Sequence, residues 1–407
     1  MRERAQRAIE ACRRIAAMTE EPGRITRRFL TLPVHELHAF LGDRMRALSM
    51  EVRVDAVGNL RGVWRPQGAG PKRIVMGSHI DTVPDAGAFD GVLGVTMALE
   101  LVALAQAMAK PAAMEVIAFS EEEDVRFNGP FLSSRAVAGR WDPALLEQTD
   151  IEGVTLAEAI RAFGLDPDRV SEAVLDEDAA AFVEFHIEQG PVLEAEGLQV
   201  AAVTGIVGQS RLDVEFDGEA NHAGTTPMRL RRDAMSAAAE WVLAVEAAAR
   251  AEDGMVATVG RVQVSPGAAN VIPGAAKLSL DARHFEDRTR KSMVERLLEQ
   301  ARAIGERRGV RVSWEARMDV PAVPMEERLS AYLCEAMEAE GLPAKRMASG
   351  AGHDAMVMAG RVPTAMLFIR SPGGVSHNPA ETVRQEDVET ALRVGARFLE
   401  RLAAGIR

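Results

Sequence analysis

A chain of 407 residues with 60 acidic and 48 basic side chains carries a formal charge of −12, which argues against a nucleic-acid partner while leaving room for a local arginine to bind a small anion. With 47% apolar and 27% charged residues it can bury a large core and is long enough for two domains, although only 4% of its residues are aromatic. Cys12 and Cys334 are its only cysteines, far apart and outside any metal-binding spacing, so no disulfide framework is expected. The first residues lack the apolar centre of a signal peptide, and the most apolar long stretch, Val92–Met108, is broken by Glu100 and Gln106. A cytoplasmic protein without a membrane span is expected.

Residues 1–50 read as helices, the first basic and amphipathic, the second with Leu37, Phe40, Leu41 and Met45 at helical spacing. His35 and His38 lie here without a carboxylate–histidine context, so surface or capping roles are expected rather than a metal pair. Val52–Val54, Leu60–Trp64 and Ile74–Met76 read as strands, with Gly58-Asn59 marking a turn. Gly77-Ser78 closes the third strand, and His79, Asp81 and Asp90 follow it. An imidazole and two carboxylates at the end of a buried strand suit a metal ion, and equally a hydrogen-bonded loop. The helix Val92–Met108 leads to the strand Val116–Phe119, then directly to Ser120-Glu121-Glu122-Glu123. Three glutamates usually form a solvated run, but these stand to their strand as His79 stands to its own. Phe182–Phe185 ends at His186. Ala365–Ile369 is followed by a glycine-containing loop and His377. The strand–helix alternation predicts an α/β fold, a mixed and largely parallel sheet with helices on both faces.

Between His186 and His377 the texture changes. Leu212–Phe216, Met255–Val264, Lys277–Ala282 and Val310–Trp314 read as strands, Arg232–Arg250 and Arg288–Arg308 as helices. The order β-α-β-β-α-β is the split ferredoxin-like arrangement. It predicts an α+β domain over residues 208–322, inserted into a discontinuous catalytic domain of residues 1–207 and 323–407, with Pro321 and Pro324 at the exit.

His79, Asp90, Glu123, His186 and His377 together offer three imidazoles and two carboxylates, a donor set that suits zinc and allows manganese. Five ligands exceed what one tetrahedral ion needs. Two ions about 3.5–4 Å apart, bridged by a carboxylate and sharing a hydroxide, use them better. Asp81 can accept the second N–H of His79 and fix its tautomer. Of Glu122 and Glu123, one can bind metal while the other takes a proton from water, and residue chemistry leaves the assignment open. His222, in EANHAGTTPM, is placed to steady an oxyanion, although a capping or core histidine accounts for it as simply.

The segments GSHIDTVPDAGAFDGVLGV, AFSEEEDVRF, FVEFHIEQGPVLE, TGIVGQ, GEANHAGTTPM, NVIPG with DARH, SGAGHDAM and GVSHNPAE resemble, in order over about residues 50–385, the hydantoinase/carbamoylase-type amidohydrolases. That family takes in N-carbamoyl-L-amino-acid hydrolases, β-ureidopropionases and allantoate amidohydrolases, within the dinuclear-zinc aminoacylase and carboxypeptidase-like peptidases. The resemblance implies two divalent ions per subunit, zinc or else manganese or cobalt. His79, Asp90 and His186 would hold one, Asp90, Glu123 and His377 the other, with Asp90 bridging. Glu122 would be the general base, His222 would steady the tetrahedral intermediate, and Gln189, Asn270 and Arg283 would bind the substrate. The last two would grip its carboxylate, a task to which a planar guanidinium is suited. The inserted domain would be a lid through which the chain forms a homodimer. The implied reaction is hydrolysis of a ureido C–N bond in a small anionic substrate, allantoate or an N-carbamoyl-L-amino acid, releasing ammonia and carbon dioxide. An aminoacylase or dipeptidase acting through the same ions is the other reading. His353-Asp354 matches a family motif to which residue chemistry gives no role. Asp124-Val125 departs from relatives that usually carry glycine there, which alters the local turn and removes no ligand.

Overall fold

In the computed structural model, which describes residues 1–108, 111–127 and 129–406, the strands run in chain order β1 (Glu51–Val54), β2 (Leu60–Trp64), β3 (Arg73–His79), β4 (Ala113–Phe119), β5 (Ala179–Ile187), β6 (Val200–Ile206), β7 (Gly208–Asp217), β8 (Val256–Thr258), β9 (Val262–Ser265), β10 (Ala275–His284), β11 (Arg311–Val320), β12 (Val323–Pro324), β13 (Arg346–Ser349) and β14 (Thr364–Ile369). The chain divides into two units, Met1–Thr204 with Pro324–Arg407, and Gly205–Val323.

In the first unit the sheet order is β1-β2-β4-β3-β5-β14-β6-β12, with β13 also paired to β6. The central strands β4, β3, β5 and β14 are mutually parallel, and β1, β2 and β6 join antiparallel. Every residue of β3, β4 and β14 is buried, as expected of a sheet covered on both faces. Alternation along β5 shows the two layers. Phe185 lies against Gly395 of the helix Gln385–Gly405, whereas Glu184 accepts the backbone N–H of Ala355 in the helix Asp354–Met358 on the other face. The helix Val92–Ala105 packs on β3 and β5. It stops short of the expected Met108 because Ala107 and Met108 turn their N–H groups to carbonyls three residues back, tightening the last turn. Its Glu100 is buried and neutralised by Arg4, Arg7 and Arg44. The basic N-terminal helix Arg2–Ala16 thus places Arg4 and Arg7 on Glu100 and buries Ala5, Ala8, Ile9, Cys12 and Ile15.

The second unit is an antiparallel sheet, β11-β7-β10-β8 with β9 also on β10, backed by the helices Ala234–Arg250 and Asp287–Arg308 around Trp241, Phe216 and Leu297. The single strand expected over Met255–Val264 is two. Thr258 pairs with Asp281 and Val262 with Leu278, so three residues, Val259 to Arg261, oppose two, Ser279 and Leu280. The extra residue is absorbed at Gly260, and the strand breaks there as a bulge does.

Candidate metal centre

Parallel strands bring their C-terminal ends to one edge of the first sheet, and that edge collects the chemistry. His79 ends β3 opposite Phe119, which ends β4. His186, near the end of β5, stands opposite Phe368 of β14. Glu121–Glu123 and Ser371–His377 continue from β4 and β14, and Asp90 sits just before the helix Val92–Ala105.

The side chains converge. Ligand atoms of His79, Asp90 and His186 lie within 4.8 Å of one another, as do those of Asp90, Glu123 and His377, and of His79, Glu122 and Glu123. Asp90 is shared by the first two of these groups. His186 Nε2 is 3.2 Å and His79 Nε2 3.6 Å from its Oδ1, while His377 Nε2 is 3.2 Å from its Oδ2. His377 Nε2 also lies 3.5 Å from Glu123 Oε2.

Tautomers are set from behind. His79 Nδ1 is 3.1 Å from the Asp81 carbonyl and His186 Nδ1 is 2.8 Å from the Ile187 carbonyl. A carbonyl only accepts, so both Nδ1 atoms carry protons and both Nε2 lone pairs face inward. These lone pairs stand 3.4 Å apart, and Asp90 Oδ1 beside them is buried with no hydrogen-bond donor. Three acceptors pointing at one another fit a cation. The surrounding carboxylates favour positive charge at this point, whether a proton or a cation. Burial works against the charge of His79, yet Asp81, Asp90 and Glu122 hold it well above the usual imidazole range. Burial would raise Asp90, but His186, His377 and His79 draw it well below the ordinary carboxylate value. Glu123 is pushed up to about 7 by burial and by Asp90.

Asp81 serves differently from expectation. The carbonyl of Asp81, rather than its carboxylate, is the nearer partner of His79 Nδ1, Oδ1 standing at 3.4 Å. The carboxylate instead accepts the backbone N–H groups of Glu122 at 3.1 Å and Glu123 at 3.0 Å. It pins the loop that presents both glutamates. Glu122 is buried, and its carboxyl stands well above the usual range through burial and the charges of Glu123, Asp354 and Asp81, against the pull of His79. Asp124 adopts φ +56°, the left-handed conformation glycine would take freely. Its carboxylate caps the turn by accepting from Gly129 N–H.

Glu381 and Ser376 also stand at the cluster, where sequence reasoning did not place them. Glu381 Oε1 accepts the N–H groups of Phe89 at 2.8 Å and Asp90 at 3.0 Å, and Ser376 donates to Asp90 Oδ2 at 3.0 Å. Both lie in the quoted GVSHNPAE segment, which was their only signal. Gln189, at φ +57°, donates to Asp90 Oδ2 at 2.9 Å, so it stands at the cluster. Glu184, His186 and His353 also lie close together, but Glu184 is committed to Ser78 and Ala355, and His353 Nε2 lies 2.9 Å from Ser349 Oγ. Burial and His186 keep His353 well below the usual imidazole value, a neutral ring set edge-on to His186.

His222, Asn270 and Arg283 belong to the second unit. His222 is exposed, and its Nδ1 accepts the N–H groups of Gly224 and Thr225 at 3.0 and 3.2 Å, which leaves the proton on Nε2. The Asn270 carbonyl accepts from Ala223 N–H, tying it to the next residue after His222. Arg283 Nε donates to Asp281 at 2.8 Å. His35 and His38 belong to no metal-type cluster among the described residues. His35 stacks on Phe163 at 3.8 Å and His38 meets the same ring edge-on. Among the described residues no helix is long and apolar enough to cross a membrane.

A model of the peptidase family M20/M25/M40 matches residues 75–401. The chain is 40% identical over 366 residues to an allantoate amidohydrolase of Escherichia coli (strain K12), covering 88% of each chain. It is 38% identical over 391 residues to an N-carbamoyl-L-amino acid amidohydrolase of Geobacillus stearothermophilus, covering 94% of each. The crystal structure of a hydantoinase/carbamoylase family amidase from Burkholderia ambifaria superposes with a TM-score of 0.91 at 33% identity, over 98% of this chain and 97% of that one. Family M20 enzymes are metal-dependent, and the convergent donor set around Asp90 answers to that requirement. The chain belongs to the hydantoinase/carbamoylase amidohydrolases of peptidase family M20/M25/M40.

Proposed function

We propose that this chain hydrolyses the ureido C–N bond of a carboxylate-bearing small molecule, allantoate or an N-carbamoyl-L-amino acid. One water is consumed, and the amine, carbon dioxide and ammonia are released. The observation that carries the reading is the buried, donor-free Asp90 Oδ1 faced by two imidazole lone pairs. Relatives named for each of the two substrates stand at 40% and 38% identity, so both belong in the assay.

Two divalent ions, zinc first and manganese or cobalt as alternatives, would supply Lewis acidity and a water acidic near pH 7. His79, Asp90 and His186 would hold one, Asp90, Glu123 and His377 the other. Glu122, whose carboxyl favours a proton in this buried acidic setting, takes the proton from the attacking water and returns it to the leaving nitrogen. Gln189 orients the substrate beside Asp90. The second unit is a ferredoxin-like lid, a reading supported by its strand order. His222 donates through Nε2 to the developing oxyanion, while Asn270 and Arg283 hold the carboxylate. Exposed Leu243, Val256 and Val262 on this unit support its use as the homodimer face. Two widely separated free cysteines suit a cytoplasmic setting.

The test is metal-reconstituted protein assayed for ammonia release from allantoate and N-carbamoyl-L-amino acids and, in parallel, for free amino acid released from N-acetyl amino acids and dipeptides. Turnover of either ureido substrate supports the reading. Turnover of only the last two would convert it to an aminoacylase or dipeptidase.

A further inference from the structure

One carboxylate organises the helix-free face of the second sheet. In the β7–β10 register Arg211 stands opposite Asp281 and Gln209 opposite Arg283, while the alternating residues Ser210, Leu212, Leu280 and Ala282 are buried. Asp281 accepts from Gln209 Nε2 at 2.8 Å, from Arg211 Nε at 2.9 Å, and from Arg283 through both Nε at 2.8 Å and Nη2 at 3.1 Å. Burial alone would push its carboxyl up, but Arg283, Arg211 and Gln209 hold it below the ordinary carboxylate range, so the group is ionised. A guanidinium has two bidentate edges, Nε with Nη2 along its side and Nη1 with Nη2 at its end. Asp281 takes the side edge. Asp281 thereby constrains the orientation of the end edge, and a preset side chain loses less freedom on binding.

We propose that Asp281, itself held by Gln209 and Arg211, is a positioning residue that aims the Arg283 fork at the substrate carboxylate and so sets the preference for carboxylate-bearing over uncharged ureido compounds. The inference rests on the reading above that Arg283 binds that carboxylate. Asparagine at 281 keeps the shape, but with its oxygen held by Gln209 and Arg211 it turns an N–H toward Arg283 Nε, donor against donor, so the fork turns away. It also removes a negative charge, which by itself would draw an anion closer and lower KM. Positioning and simple competition therefore predict opposite signs.

The experiment is steady-state kinetics of Asp281→Asn with a carboxylate-bearing ureido substrate and its carboxamide analogue. Positioning predicts a KM for the carboxylate substrate about tenfold higher or more, kcat nearly unchanged, and kcat/KM for the carboxamide unchanged. Gln209→Ala should move KM the same way by less, and keeps the test alive should Asp281→Asn fold poorly. An unchanged or lower KM, or equal losses on both substrates, overturns the proposal. Arg283→Lys runs alongside. If it leaves the carboxylate KM untouched, the assignment of Arg283 has failed and the proposal with it. If it raises KM while Asp281→Asn does not, only the positioning role has failed.

Discussion

Gly91 tests how tightly the backbone holds the cluster. It sits at φ +64°, and a Cβ there would lie 2.5 Å from Cγ, Cδ2 and Nε2 of His79. Ordinary contact needs about 3.5–4.0 Å, so in Gly91→Ala the ring must withdraw by about 1 Å. That movement carries Nε2 away from Asp90 and His186. The backbone there, φ +64° with ψ −53°, is sparsely populated and itself costs alanine about 1–3 kcal/mol. Gly341→Ala separates the two effects, since Gly341 has φ +73° and nothing within 4 Å of a built Cβ. Both variants should lose about 1–3 kcal/mol in denaturant melts. Only Gly91→Ala should lose metal affinity, by about 10–100-fold as for a disturbed ligand support, read by competition with a chromophoric chelator. A Gly91→Ala protein within about twofold of the parent's affinity, or a Gly341→Ala protein equally weakened, refutes the reasoning.

Four further outcomes follow from the same geometry. Glu122→Gln should lower kcat about 10²–10⁴-fold with metal content intact by elemental analysis; loss of metal instead would make Glu122 a ligand. His222→Ala should lower kcat about 10²–10³-fold without changing metal content, and a metal-depleted variant would contradict its place outside the cluster. Glu381→Leu removes the acceptor for the Phe89 and Asp90 N–H groups, so metal affinity should fall about tenfold or more and stability by about 1–3 kcal/mol, measured by chelator titration and denaturant melts. Chelation should abolish turnover and lower the melting temperature, and zinc or manganese should restore both; activity that survives exhaustive chelation rules out the metal mechanism.

What could be read in the sequence was what local pattern encodes. Ile74–Met76 and Ala365–Ile369 are uninterrupted apolar runs because they are buried on both faces, and the chain just beyond each run leads to the sheet edge where His79 and His377 gather. The role of Glu381 was hidden because its acceptor atom meets Phe89 and Asp90, 292 and 291 positions away. Nothing in residue type separates that use from a surface glutamate. Asp81 was rightly placed beside His79, but whether its carbonyl or its carboxylate serves the imidazole depends on where Glu122 N–H and Glu123 N–H fall. The break at Gly260 depends on register with β10, which periodicity within one strand does not contain. His35 stacks on Phe163 and His38 meets it edge-on, and that ring comes from a distant part of the chain.

The two halves of the cluster meet water unequally. The side chains of His79 and His186 are 2% and 0% exposed, whereas that of His377 is 49% exposed. An ion resting on Asp90, Glu123 and His377 therefore has a short route to bulk solvent, while its neighbour must shed its ligands inside the protein before it can leave. Cation exchange at such a pair would be sequential, the outer position emptying and refilling quickly and the inner one slowly. Scarcity would leave a half-loaded species rather than bare protein, and a mixture of available cations would sort itself into heterometallic pairs, the inner place keeping whichever ion was captured first.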